Sequence, residues 1–225
     1  AINNQVLLYD IFVNTKDYYV TTIVIKKLTD EAILEKILKT TSNDEIKMSV
    51  LEKIENENIL IDVAKYERNR YLTESALYKI KSQEAFTEVA IGSESRDIRR
   101  IAVEKIKEPQ FLERVMEQCE YPEIRKIAVE KITDEELLKK IALSDEYSGV
   151  RKIAVERIRD SATLIQVALE DDFVEIRKMA IAKIDDQEIL VSIATNDKHS
   201  SIRESAVMRI TDEAILKEIL KKDRY

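Results

Sequence analysis

The sequence predicts an all-α protein, a right-handed α-solenoid (superhelix) of about eight two-helix repeats. Three observations lead there: few chain-turning residues, a period of 26 residues, and helical spacing of the apolar positions inside each period. Only two Gly and two Pro occur among 225 residues, whereas hairpins, sandwiches and barrels depend on such residues at their turns. Hydrophobic residues are 44% of the chain, too many for a disordered segment.

The period is read directly. Arg99–Ile106 (RRIAVEKI), Arg125–Ile132 (RKIAVEKI), Arg151–Ile158 (RKIAVERI), Arg177–Ile184 (RKMAIAKI) and Arg203–Ile210 (RESAVMRI) follow at 26-residue steps. The step runs backwards, with decay, through Thr73–Ile80, Lys47–Ile54 and Thr21–Leu28. One column reads Leu28, Ile54, Ile80, Ile106, Ile132, Ile158, Ile184, Ile210, and another Leu34, Leu60, Phe86, Leu112, Leu138, Leu164, Leu190, Leu216. We read one helical-repeat domain over 1–225, with a partial repeat at 1–20, degenerate repeats at 21–98 and regular repeats at 99–225. Because Ala1 falls inside half a repeat, the chain is expected to be a piece of a longer one.

Each repeat begins with a helix A of about nine residues. Val150, with the equivalents of Ala128 and Ile132 after it, follows the i, i+4 rule and marks its buried stripe. The column Ala76, Ala102, Ala128, Ala154, Ala180, Ala206 allows close helix approach. A tight turn follows: in Thr133-Asp134-Glu135-Glu136 a capping box joins Thr133 to Glu136, and Asp30, Asp160, Asp186 and Asp212 match Asp134. Helix B, also about nine residues, buries Leu137, Leu138, Ile141 and Ala142. Pro109 fits the first turn of a helix B, Pro122 lies just before a helix A, and Gly92 sits where a C-terminal cap would. A loop of about seven residues closes the unit. Helices this short are unstable alone, so neighbouring repeats must supply apolar cover.

The phrase "acidic loop–(Val/Ile)-Arg-x-x-Ala-Val" at Asp145–Val155 resembles the HEAT-like and armadillo-type repeats, including the short phycobilisome-lyase type. It is also similar to the leucine-rich-repeat variant. The resemblance covers about Val6 to Leu220; the 26-residue period is short for HEAT units, and the Leu-Gly step after helix A of the short types is absent. It implies a scaffold or adaptor, or less often a ligand-handling or DNA-repair protein, with helix B lining the concave surface.

The column Arg99, Arg125, Arg151, Arg177, Arg203 lies beside the buried stripe. Glu94, Glu120, Asp145, Asp171 and Asp197 precede its members in the loops, so we read an ion pair and loop clamp internal to the solenoid, with ligand contact as the alternative. Outward on helix A, Arg100, Lys126, Lys152 and Lys178 accompany Glu104, Glu130 and Glu156. The five regular helix A segments carry +10, so against the overall −7 the rest of the chain carries −17. A nucleic acid along helix A is therefore the alternative partner.

On helix B, Ala162, Ile165, Gln166 and Glu188, Val191, Ser192 point outward. Ile165 and Val191, with Ile61 as a third exception, stand where other repeats have mostly polar residues. They define a candidate partner-binding patch for an amphipathic helix or peptide, against the plainer reading that superhelical twist buries them. Tyr66, Tyr71 and Tyr78, with Tyr18 and Tyr19, are read as part of an atypical terminal cap, or else as an interface.

An enzyme is not expected, nor a cofactor or metal. His199 is the one histidine and Cys119 the one cysteine, which together build neither a His/Cys zinc site nor an activated thiol pair. Gly92 and Gly149 cannot form a phosphate loop, and the chain lacks the Trp expected of a HEAT-like DNA glycosylase. A lone cysteine fits the cytoplasm. The apolar run Val6–Val13, broken by Asp10, is too short to span a bilayer, so no membrane is expected. The sequence therefore points to a protein-interaction scaffold or adaptor. A nucleic-acid-associated protein is the alternative, and a lyase-type ligand handler is further off.

Overall fold

The computed structural model describes residues 4–222. Among them are seventeen helices and no strand. The chain divides into two compact units, Ala1–Glu120 and Tyr121–Tyr225.

The first unit holds α1 (Gln5–Asn14), α2 (Tyr18–Lys27), α3 (Glu31–Thr40), α4 (Asp44–Leu51), α5 (Glu57–Tyr66), α6 (Arg70–Lys79), α7 (Gln83–Gly92), α8 (Arg96–Lys105) and α9 (Pro109–Gln118). The second holds α10 (Pro122–Lys131), α11 (Glu135–Ser144), α12 (Ser148–Arg157), α13 (Ser161–Glu170), α14 (Val174–Ile181), α15 (Gln187–Asn196), α16 (Ser200–Val207) and α17 (Glu213–Lys222). Even-numbered helices are the A type and odd-numbered ones the B type. In each unit like helices stack on like, and the closest antiparallel pairs join a helix B to the helix A that follows it, as in α7 with α8 and α11 with α12.

The loop from B to A is three residues (Asp145-Glu146-Tyr147, for example), not seven. Helix A starts before the Arg column because Ile98, Ile124, Val150, Ile176 and Ile202 are buried and belong to its apolar stripe. The expected capping box is replaced as well. Asp134, not Thr133, caps α11 by accepting from the Leu137 N–H, while Glu136 pairs with Lys139 at 2.7 Å. Pro122 falls at the first turn of α10. Gly92 is the last residue of α7, with no positive φ, and Ser93 is the cap. Its missing side chain makes room for Lys65, whose Cε would lie 2.7 Å from a Cβ there.

The core follows the columns. The Leu/Ile column from Leu28 to Ile210 is buried throughout, and the six Ala of helix A are fully enclosed. Two polar ladders then join successive repeats. The residue opening a helix B accepts from both N–H groups of the next A-to-B turn: Gln5 from Thr29 and Asp30, Glu31 from Glu55 and Asn56, Glu57 from Lys81 and Ser82, Glu135 from Arg159 and Asp160. A base near the end of helix A reaches the carbonyls that end the preceding helix A. Lys53 donates to Ile25 and Lys26, Arg157 to Glu130 and Ile132, and Lys183 to Val155, Glu156 and Ile158. Positive charge at these carbonyls complements the helix dipole.

Candidate functional site

The Arg column is held on two sides. Arg151 sits on α12 with its guanidinium against its own loop, donating from Nη1 to the carbonyls of Asp145 and Glu146 at 2.8 and 3.3 Å. From Nε and Nη2 it makes a two-pronged bond to the Asp171 carboxylate at 2.7 and 3.1 Å. Arg125 grips Asp145 in the same way at 2.9 and 3.1 Å, and Arg177 pairs with Asp197. Each carboxylate belongs to the loop twenty residues ahead, not to the loop that precedes its Arg as the sequence reading had it. The reason is reach: Arg151 already spans its own loop through main-chain carbonyls, so its free fork faces the next repeat. The Asp also accepts the N–H two residues on, from Tyr147, Phe173 or His199.

The register continues earlier than the Arg. Lys47 meets Glu67 at 2.6 Å, again twenty residues apart and little exposed. Burial opposes the Glu67 charge, but Lys47 and the N–H groups of Asn69 and Arg68 hold its carboxyl below its ordinary range. Asp197 is also lowered, with burial outweighed by Arg177 and the His199 N–H. Arg99 is buried and bonded to the Ser93 and Glu94 carbonyls. The position twenty beyond it is Cys119, a buried thiol near the Ala90 carbonyl at 3.9 Å. Arg203 donates to the Asp197 carbonyl; the residue twenty beyond it lies outside the described residues.

The candidate patch divides by unit. In the second unit Ala162, Gln166, Glu188 and Ser192 are exposed while Ile165 and Val191 are half-buried. Ala162, Ile165, Gln166 and Leu169 form one face of α13, three or four residues apart. There the A helices pack more closely than the B helices, so the B-helix faces are the more open side. In the first unit the same column is closed at two positions. Ile61 and Thr87 are buried because α5, α7 and α9 pack tightly, so Ile61 is core and not an outward exception. By contrast α3 and α5 stand apart around a cavity of about 310 Å³ walled by Leu38, Ile59, Val63 and Leu72 beside the Lys47–Glu67 pair.

The chain is an all-helical repeat array. No family model matches it, and neither does any curated protein. Among solved structures, a chain described as "Computational Design of Self-Assembling Cyclic Protein Homooligomers" is similar over 96% of this chain and 77% of its own. Identity is 14% and the TM-score 0.12, a value at which the likeness carries no argument.

Arg100, Lys126 and Lys152 are exposed on helix A, as are Glu104, Glu130 and Glu156. Tyr18, Tyr19, Tyr66, Tyr71 and Tyr78 are all exposed, with Tyr71 and Tyr78 two turns apart on α6. His199 occupies the cap position of α16 and makes no side-chain cap bond. No helix among the described residues is long and apolar enough to cross a membrane. The sequence reading missed both polar ladders. The basic one was visible in the unbroken column Lys27, Lys53, Lys79, Lys105, Lys131, Arg157, Lys183, Arg209.

Proposed function

We propose that the array is a HEAT-like, non-catalytic interaction module of the cytoplasm. It binds a partner peptide or domain on the outward face of the B helices in 121–225. One observation carries this reading: Ile165, Leu169 and Val191 remain accessible on the B helices of 121–225, which pack less closely on one another than the A helices do. A rigid scaffold with an accessible apolar face of this kind suits a helix or peptide. The reading is tested by enriching a random peptide library on the protein. Enriched peptides should weaken about tenfold or more, a loss of about 1.4 kcal/mol, against Ile165→Asp or Val191→Asp variants of unchanged helicity. Undiminished binding to both variants refutes the patch.

A nucleic acid along helix A is the second reading, favoured by the exposure of Arg100, Lys126 and Lys152. Much of the +10 is otherwise engaged, since Arg125, Arg151 and Arg177 are neutralised by Asp, and Arg157 and Lys183 serve main-chain carbonyls. Titration with a DNA duplex at low salt tests it, because phosphate contacts must weaken steeply as salt is added.

A further inference from the structure

Leu143, Tyr147, Leu169 and Phe173 in the second unit are 43%, 53%, 50% and 51% exposed. They form two Leu–aromatic pairs, each four residues apart, and the pairs recur at the 26-residue step. The pairs therefore lie on neighbouring repeats at the same loop edge, with Leu169 on the α13 face that carries Ile165. The rings are held in place. Tyr147 lies over the Arg125 guanidinium at 5.7 Å and Phe173 over that of Arg151 at 5.4 Å, and both Arg are fixed by carboxylates. Pre-oriented rings lose little freedom on binding.

The same position holds Asn43, Asn69 and Ser95 in three earlier repeats, where their side chains cap helix A, and Tyr121 at α10, which makes no side-chain cap bond. Tyr147 and Phe173 make no such bond, forgoing about 1 kcal/mol each. Residues 143–149 and 169–175 contain six carboxylates and no Lys or Arg. Arg125 and Arg151 neutralise Asp145 and Asp171, and Glu175 meets Lys178 at 3.5 Å. Glu146, Glu170 and Asp172 are left exposed around the rings.

We infer that this stripe docks a basic amphipathic helix of a partner protein, its apolar side chains seated on the two Leu–aromatic pairs and its Lys or Arg flanks facing the carboxylates. The spacing fits: packed helices such as α12 and α14, whose cap positions carry the two rings, lie about 8–10 Å apart, and seven residues of helix rise about 10.5 Å, so a partner with apolar residues seven apart meets both rings. The inference rests on the interaction reading above and names the chemistry of its partner.

The probes are three synthetic helices of about 14 residues: Leu at heptad spacing on a Lys background, the same on a Glu background, and the Lys peptide with Ser for Leu. Fluorescence anisotropy should show saturable binding of the Leu/Lys peptide alone. A protein carrying Tyr147→Ser and Phe173→Ser should bind it about tenfold more weakly, whereas Met208→Ser, at another exposed site, should change nothing. Should the double variant lose helicity, Leu143→Ser and Leu169→Ser, whose residues touch no ladder, take its place. Equal binding of the Leu/Glu peptide, or undiminished binding by the stripe variants, overturns the inference. Library peptides that are acidic yet sensitive to Ile165→Asp would sink this inference while sparing the interaction reading; a library with no enrichment sinks that reading itself.

Discussion

Arg151 shows what a single side chain does in this array. Its guanidinium closes its own loop through two carbonyls and reaches one repeat ahead to Asp171, and both partners of that pair are nearly buried. Removing it strands a carboxylate, so Arg151→Ala should cost about 3–5 kcal/mol in chemical denaturation. Arg151→Lys should recover only a minor part, because a point charge cannot serve four contacts at once. The acids respond to pH in a definite direction. Glu57, Glu67 and Asp197 each have burial working against the charge and hydrogen bonds outweighing it, and all are lowered. The unfolded chain therefore binds more protons than the fold as pH drops below the ordinary carboxylate range. Stability is fully present above that range and falls through it. The thermal midpoint should decline with acid, and Asp197→Asn should flatten the decline; an unchanged slope would remove Asp197 from this account. At this scale the sequence showed that the Arg column needed carboxylates but not which ones. Asp145 lies six residues before Arg151 and twenty after Arg125, and only three-dimensional reach assigns it to Arg125.

A helix here is a ten-residue object with little to hold it except its cap and its neighbours. The caps were largely legible, since Asp30, Asp134, Asp160 and Asp186 all accept from N–H groups of the first turn. Asp160→Ala should cost about 0.5–2 kcal/mol, with Asp160→Asn close to neutral, read by thermal melting. The Ala column is the stricter requirement. Ala128 and Ala154 are fully enclosed where α10, α12 and α14 press together, so Ala154→Leu should cost at least about 1–3 kcal/mol through overpacking. A neutral result would mean that those helices can move apart. Where helix A begins was misjudged because the residues between the loop acid and the Arg look polar, as in Arg96 and Asp97. Burial of Ile98 then brings them into the helix. Ile61 was misjudged for the converse reason: its outward position on a helical wheel says nothing of how closely α7 approaches.

At the scale of the molecule, each repeat borrows its stability from the next through packing and three sets of polar bonds, so disturbances should stay local. In hydrogen exchange, Arg151→Ala should raise opening in α12, α13 and α14 well above any change in α3 to α5. A uniform rise across the chain would show that it unfolds as one cooperative body instead. The division at Glu120–Tyr121 has no counterpart in the period, which runs past that point without insertion.

Composition, the 26-residue step and the cap residues together determined that the chain is helical, where most helices end, and which columns are buried. Those properties follow from local propensity and from which side of a short helix is apolar, and both are written in neighbouring residues. Tertiary structure alone decided which Asp each Arg holds, that α5, α7 and α9 close over Ile61 while the B-helix face with Ile165 and Val191 stays open, and that Tyr147 and Phe173 lie over fixed guanidinium groups. These depend on distances between residues some twenty positions or more apart, which repeat spacing constrains but packing sets.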